Sequence, residues 1–138
     1  MKYVTEESVG AFLYNGIKKR FLLLLRADSQ DWEFPKGHTE DLESHEDTIK
    51  REIKEEVGIH MIKIIKKIGA INYAVQKPDV LKKRIIHYYL VQTNEEKVKL
   101  SNEHTKFAWV TQTEAAKLLP FDNTKKLLAK IREEELSD

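Results

Sequence analysis

Ser8 to Tyr14 is largely apolar, Asn15-Gly16 is a tight-turn signal, and the run Phe21-Leu22-Leu23-Leu24-Leu25 follows shortly after. This pattern predicts two antiparallel strands joined by a short turn. Neither run alternates with polar residues, so both faces of these strands are expected to be covered. From Ala27 to Glu43 the chain turns polar and includes Asp28-Ser29, Pro35 and Gly37, which predicts a long loop of the kind that often carries function. Ser44 is a good N-cap with Asp47 three residues on, Ile49, Ile53 and Val57 recur at helical spacing, and Gly58 stands where a helix would stop; the prediction is a helix over about residues 45–57. Met61 to Ala74 and Arg84 to Thr93 are rich in Ile, Val and Tyr and flank the polar Gln76-Lys77-Pro78-Asp79, which reads as a second strand pair. Phe107-Ala108-Trp109-Val110 is a short strand. Thr113 to Leu119 and Asn123 to Glu135 read as two helices broken at Pro120, with Ala115, Leu118, Leu119, Leu127, Leu128 and Ile131 on their apolar faces. This order of elements gives an α/β fold with a mixed sheet, one helix in the middle and two at the end, in a single domain over residues 1–138.

Composition narrows the chemistry. A length of 138 residues suits one core. Lys and Arg number 24 against 23 Asp and Glu, a formal net charge of +1, so no global field draws the chain to nucleic acid or an anionic membrane, and any phosphate chemistry must come from local placement. The absence of cysteine excludes disulfides, thiolate nucleophiles and Cys-ligated zinc. The longest apolar run, Phe21 to Leu25, is too short for a signal peptide or a membrane span. The expected location is cytoplasmic.

The middle helix is unusually charged. Glu52, Glu55 and Glu56 stand at i, i+3 and i+4, and at about 100° per residue they share an arc of roughly 100° beside the stripe of Ile49, Ile53 and Val57. Taken alone, the cluster reads first as a solvated acidic face offset by Lys50, Arg51 and Lys54. The sharper reading is a cation site. Carboxylates this close repel one another unless a cation sits among them, and clustered carboxylate oxygens suit Mg²⁺ or Mn²⁺.

The wider pattern favours the second reading. Gly37, Glu43, Arg51-Glu52-Ile53, Glu55-Glu56, Gly58 and Ile59, at these spacings, resemble the signature of the Nudix hydrolases at every fixed position. One departure is Asp41-Leu42 where that family's loop usually has Pro-Gly. The resemblance implies an α/β/α sandwich presenting a loop-helix-loop, and a pyrophosphohydrolase acting on a nucleoside diphosphate linked to another group. It implies Mg²⁺ or Mn²⁺ as cofactor, with Glu52, Glu55, Glu56 and the Gly37 carbonyl as ligands. Arg51 would pair with Glu43 or Glu52 to hold the carboxylates in place, and the general base stays open among the glutamates.

Further stretches resemble the asymmetrically cleaving diadenosine tetraphosphate hydrolases: Trp32-Glu33-Phe34-Pro35-Lys36-Gly37-His38, Asn72-Tyr73 with Lys77-Pro78, and Leu100-Ser101-Asn102-Glu103-His104 followed by Trp109. This implies Glu103 as a metal ligand or base, Lys36 and His38 as substrate contacts, Tyr73 and Phe121 as adenine stackers, and Lys82 or Lys83 as a phosphate contact. The plainer alternatives are an exposed loop lysine, a surface carboxylate, core aromatics and a solvated basic run. The expected reaction converts diadenosine tetraphosphate to ATP and AMP. The partner is then a small-molecule dinucleoside polyphosphate or nucleotide, with no stable nucleic-acid complex and no membrane. The alternatives are a Nudix hydrolase of another specificity, acting on RNA 5′ ends or oxidised nucleoside triphosphates, and a non-catalytic nucleotide-binding module. Near-zero net charge supplies no basic single-strand groove for the first. The second would usually lack one of the metal-binding glutamates, and none is missing here.

Overall fold

In a computed structural model, which describes residues 2–136, strands β1 (Lys2–Asn15) and β6 (Val80–Thr93) run parallel along their whole length, from Lys2 opposite Val80 to Asn15 opposite Thr93. Strand β5 (Lys63–Gln76) pairs antiparallel with β6 through a hairpin whose turn contains Lys77-Pro78-Asp79. Both hairpin strands extend past their apolar segments, because the backbone ladder continues where side chains face water.

In the other half of the sheet the predicted first antiparallel pair forms but is short. Strand β2 (Arg20–Arg26) meets β1 only at Tyr14 opposite Phe21 and Asn15 opposite Arg20, then diverges to pair with β7 (His104–Val110). Where β1 and β2 part, the segment predicted as loop supplies two short strands. β3 (Trp32–Glu33) pairs with Leu24 and Leu25 of β2, and β4 (Lys36–His38) pairs with Ser8 to Gly10 of β1. Short polar strands lack periodicity, so only their partners reveal them.

Alternation sorts the strand residues between two cores. Val9, Ala11, Leu13, Leu22, Leu24 and Val91 pack with Ile49, Ile53 and Val57 of α1 (His45–Val57). Phe12, Tyr14, Phe21, Leu23, Tyr88 and Leu90 pack on the opposite face with Ala115, Leu119, Leu127, Leu128 and Ile131. Helices on both faces make an α/β/α sandwich, and a sheet covered on both faces explains the unbroken apolar runs. At 25 cal/mol per Å² buried, each large side chain in these cores contributes roughly 1.5–3 kcal/mol.

Helix α1 begins and ends where its caps predict. The Ser44 hydroxyl accepts from Asp47 N at 3.1 Å, and Gly58 takes φ 70° while its N–H donates to Lys54 O. Helix α2 (Gln112–Leu118) opens with a capping box between Thr111 and Glu114. Helix α3 (Asp122–Leu128) is shorter than predicted, and a 3₁₀ turn follows at Glu133–Leu136. The Gln112 side-chain amide donates to Leu128 O at 2.9 Å and Ile131 O at 3.0 Å. These bonds satisfy carbonyls at the helix end, so Ile131 reaches the core from a turn. Among the described residues, no helix is long and apolar enough to cross a membrane.

Candidate active site

Burial of Ile49, Ile53 and Val57 fixes the rotation of α1 and thereby the fate of each glutamate. Glu56 is 3% exposed, Glu52 is half-buried, and Glu55 faces solvent. The Glu56 carboxylate accepts from the Lys36 backbone, while its Oε2 is buried without a partner. Burial first, then the charges of Glu52, Glu33 and Glu103, push its pKa up to about 9. Glu52 is also raised, chiefly by burial and against the pull of Arg51.

The segment between β6 and β7 lies over the end of α1. Lys99 N donates to Val57 O at 2.9 Å, Ser101 N to Glu56 O at 3.2 Å, and Ala27 N ties down Glu103 O at 2.9 Å. These bonds bring Glu103 and His104 to Glu56, so that one ligand atom from each of the three lies within 4.8 Å of the others. His104 is buried, with Nε2 2.8 Å from Glu33 Oε2 and Nδ1 without a partner.

A single guanidinium organises the other carboxylates. Arg51 donates through Nε to Glu43 Oε2 at 2.7 Å, through Nη2 to Glu43 Oε1 at 3.0 Å, and through Nη1 to Glu52 at 2.8 Å and Glu55 at 3.2 Å. It therefore engages both Glu43 and Glu52, and its Nη2 also donates to His38 O at 2.9 Å. Arg51 first, helped by the Glu40 backbone and Thr48, lowers the Glu43 pKa to about 2. Strand β4 presses its backbone against this network. A Cβ on Gly37 would lie 1.9 Å from Glu52 Cδ, so any side chain there would push the Glu52 carboxylate out of its place beside Arg51. At the departure from the family's loop, Leu42 takes φ 67°, the left-handed region that glycine adopts freely.

Beside the carboxylates, on the sheet face opposite α1, a cavity of about 540 Å³ opens between the strands and the start of α3. Such a volume suits a nucleotide-sized ligand. Lys36 lines it with its Nζ 3.7 Å from Glu33 Oε1. Tyr73 and Phe121, 41% and 65% exposed, also line it. Exposure of two aromatics at a cavity wall leaves their rings free to be covered by a ligand. Lys82 and Lys83 do not line this cavity: Lys82 is paired with Glu6 at 3.3 Å, and Lys83 points to the other face. Arg84 lines it instead, with its guanidinium bonded to the Tyr73 hydroxyl and its Nε 3.3 Å from Glu6. His38 is exposed and contacts Ser8 Oγ at 3.2 Å.

Arg84 and Glu33 are the residues that reading the chain did not assign to the site. Alternation puts Arg84 on the same face as Ile86 and Tyr88, and the packing of the sheet makes that face the cavity wall. Glu33 joins Arg26 at 3.3 Å, Lys36 and His104 from a two-residue strand with no periodicity of its own. Glu56 and Glu103, gathered with His104 around an unpartnered buried oxygen of Glu56 and with the charge of Glu52 close by, have the donor chemistry of a hard divalent cation site. Glu55 stands beside them, its carboxylate turned to Arg51.

The sequence profile of the NUDIX domain matches residues 4–130. The rat protein named bis(5′-nucleosyl)-tetraphosphatase (asymmetrical) is 32% identical over 114 residues, covering 78% of this chain and 75% of that protein. Among solved structures, a MutT protein from Methanosarcina mazei is 27% identical with a TM-score of 0.78, over 94% of both chains. A binary complex of a C. elegans Ap4A hydrolase is 25% identical with a TM-score of 0.74, over 91% of this chain and 93% of that one.

Proposed function

The chain belongs to the NUDIX domain family and is a hydrolase of phosphoanhydride bonds, and from that premise we propose that it cleaves diadenosine tetraphosphate asymmetrically to ATP and AMP. One observation carries this reading. A cavity with two exposed aromatics on its wall and three cations lining it, Arg26, Lys36 and Arg84, runs into the carboxylate cluster at Glu33 and Lys36.

In this proposal Tyr73 and Phe121 stack one adenine, each contact being worth roughly 1–3 kcal/mol. Lys36 and Arg84 bind the phosphate chain, Arg84 as a fork and Lys36 as a point charge. His38, at the edge of the same loop, is a further contact. Glu52, Glu55 and Glu56 would hold Mg²⁺ or Mn²⁺, with Glu103 and the Gly37 carbonyl alongside. The chemistry such an ion supplies when bound is neutralisation of phosphate charge and a lowered pKa for the attacking water. Arg51 keeps the glutamates oriented. Glu103 is exposed next to Glu56 and takes the water's proton. Holding one adenine fixes which phosphorus reaches the carboxylates, and this makes cleavage asymmetric.

Product analysis in oxygen-labelled water tests the reading. Diadenosine tetraphosphate should give ATP and AMP in equal amounts, with label in only one product and with no turnover in chelator. Two ADP molecules, or much faster turnover of an oxidised purine triphosphate, would overturn it.

A further inference from the structure

At the start of α1, three side chains from three elements converge on the sheet face that packs against this helix: Glu7 of β1, His45 of α1 and His87 of β6. Alternation places them, since Glu7 lies two residues before Val9 and His87 two before Tyr89, both on the α1 side. One ligand atom from each lies within 4.8 Å of the other two. The two imidazole centroids are 4.4 Å apart, and His87 Nε2 is 3.3 Å from Glu7 Oε1. The His45 Nδ1 is 2.7 Å from the Tyr89 hydroxyl. Nothing in the proposed hydrolysis uses this cluster.

Its chemistry differs from that of the glutamates on the same helix. Two imidazoles and a carboxylate form a mixed nitrogen and oxygen set, which favours a borderline transition ion over Mg²⁺. Tyr89 engages Nδ1 of His45 and leaves Nε2 without that bond, the arrangement by which a ligating histidine is oriented. Lys67 is the cation at the cluster among the described residues, with Nζ 2.9 Å from His87 Nδ1.

We propose that Glu7, His45 and His87 form a binding site for Zn²⁺, with solvent completing its coordination. On binding, the His87 proton moves from Nε2 to Nδ1, and Lys67, which is exposed, swings into water. The site ties the start of α1 to β1 and β6.

Calorimetric titration of Zn²⁺ into the whole protein, with Mg²⁺ saturating, tests this. One zinc per chain is expected. His45→Gln and His87→Gln should each weaken binding by more than tenfold, and Tyr89→Phe, which keeps every ligand, by about tenfold. Lys67→Ala should tighten it, because a competing ammonium is gone. Glu103→Gln and His104→Gln should leave it unchanged. Zinc should also raise the melting temperature of the wild type and not of His45→Gln, whose melting in chelator shows that it is folded. Unchanged affinity in both histidine variants, loss of binding in His104→Gln instead, or weaker binding in Lys67→Ala would overturn the site.

Discussion

Replacing Glu56 by Gln in the metal-free protein should stabilise it, and more so as pH rises. The folded state holds the Glu56 proton up to about pH 9, whereas the ordinary carboxyl value is 4.5. Between those values the unfolded chain binds fewer protons than the folded one, so stability falls with rising pH, by roughly 1.4 kcal/mol per unit for a single group. At pH 7 the accumulated penalty is on the order of 3 kcal/mol, from 2.5 units above the ordinary value. The cause is burial of a carboxylate near Glu52, Glu33 and Glu103, and a neutral amide of the same shape escapes it. Urea denaturation in chelator from pH 7 to 8.5 reads the effect: the wild type should lose roughly 2 kcal/mol across this range and the variant almost none. Saturating Mg²⁺ should restore the wild type and not the variant. Parallel stability curves for the two proteins in chelator would refute the assignment of Glu56 as the strained carboxyl.

Glu55→Gln and Glu56→Gln should each lower turnover by several orders of magnitude while far-UV dichroism stays native. Leu42→Gly should raise the urea midpoint by an amount equal to about 1 kcal/mol, since Leu42 is fully exposed and held at φ 67°. Arg84→Ala should raise KM for dinucleoside polyphosphates at least tenfold, whereas Lys83→Ala should change it little; the reverse ranking in steady-state kinetics would remove Arg84 from the substrate path. Phe121→Ala should raise KM by roughly tenfold with kcat and metal affinity unchanged, because it removes binding and leaves the reacting groups intact.

Helix α1 was legible residue by residue, because its instructions are local. Ser44 and Gly58 cap the backbone they belong to, Ile49, Ile53 and Val57 mark the buried stripe, and 3.6-residue geometry then places Glu52, Glu55 and Glu56 together. The same locality gave the β5–β6 hairpin and the covering of both faces of the first two strands. What depends on partners distant in the chain was not legible. Strands β3 and β4 exist because β1 and β2 separate after two residue pairs, and the turn that follows α3 is held by Gln112, which bonds the Leu128 and Ile131 carbonyls from a distant helix.

The chain alone determined the charge density on α1 and the residue types at the site, since these are properties of composition and spacing. Only the tertiary structure decided that Glu56 is the buried carboxylate and Glu55 the exposed one, because neighbours on β4 and the segment before β7 set the desolvation of each. It also decided that Arg84, with Lys82 held by Glu6 and Lys83 turned away, faces the cavity. Strand alternation offers two sides, and only the packing of the sheet says which side holds the ligand.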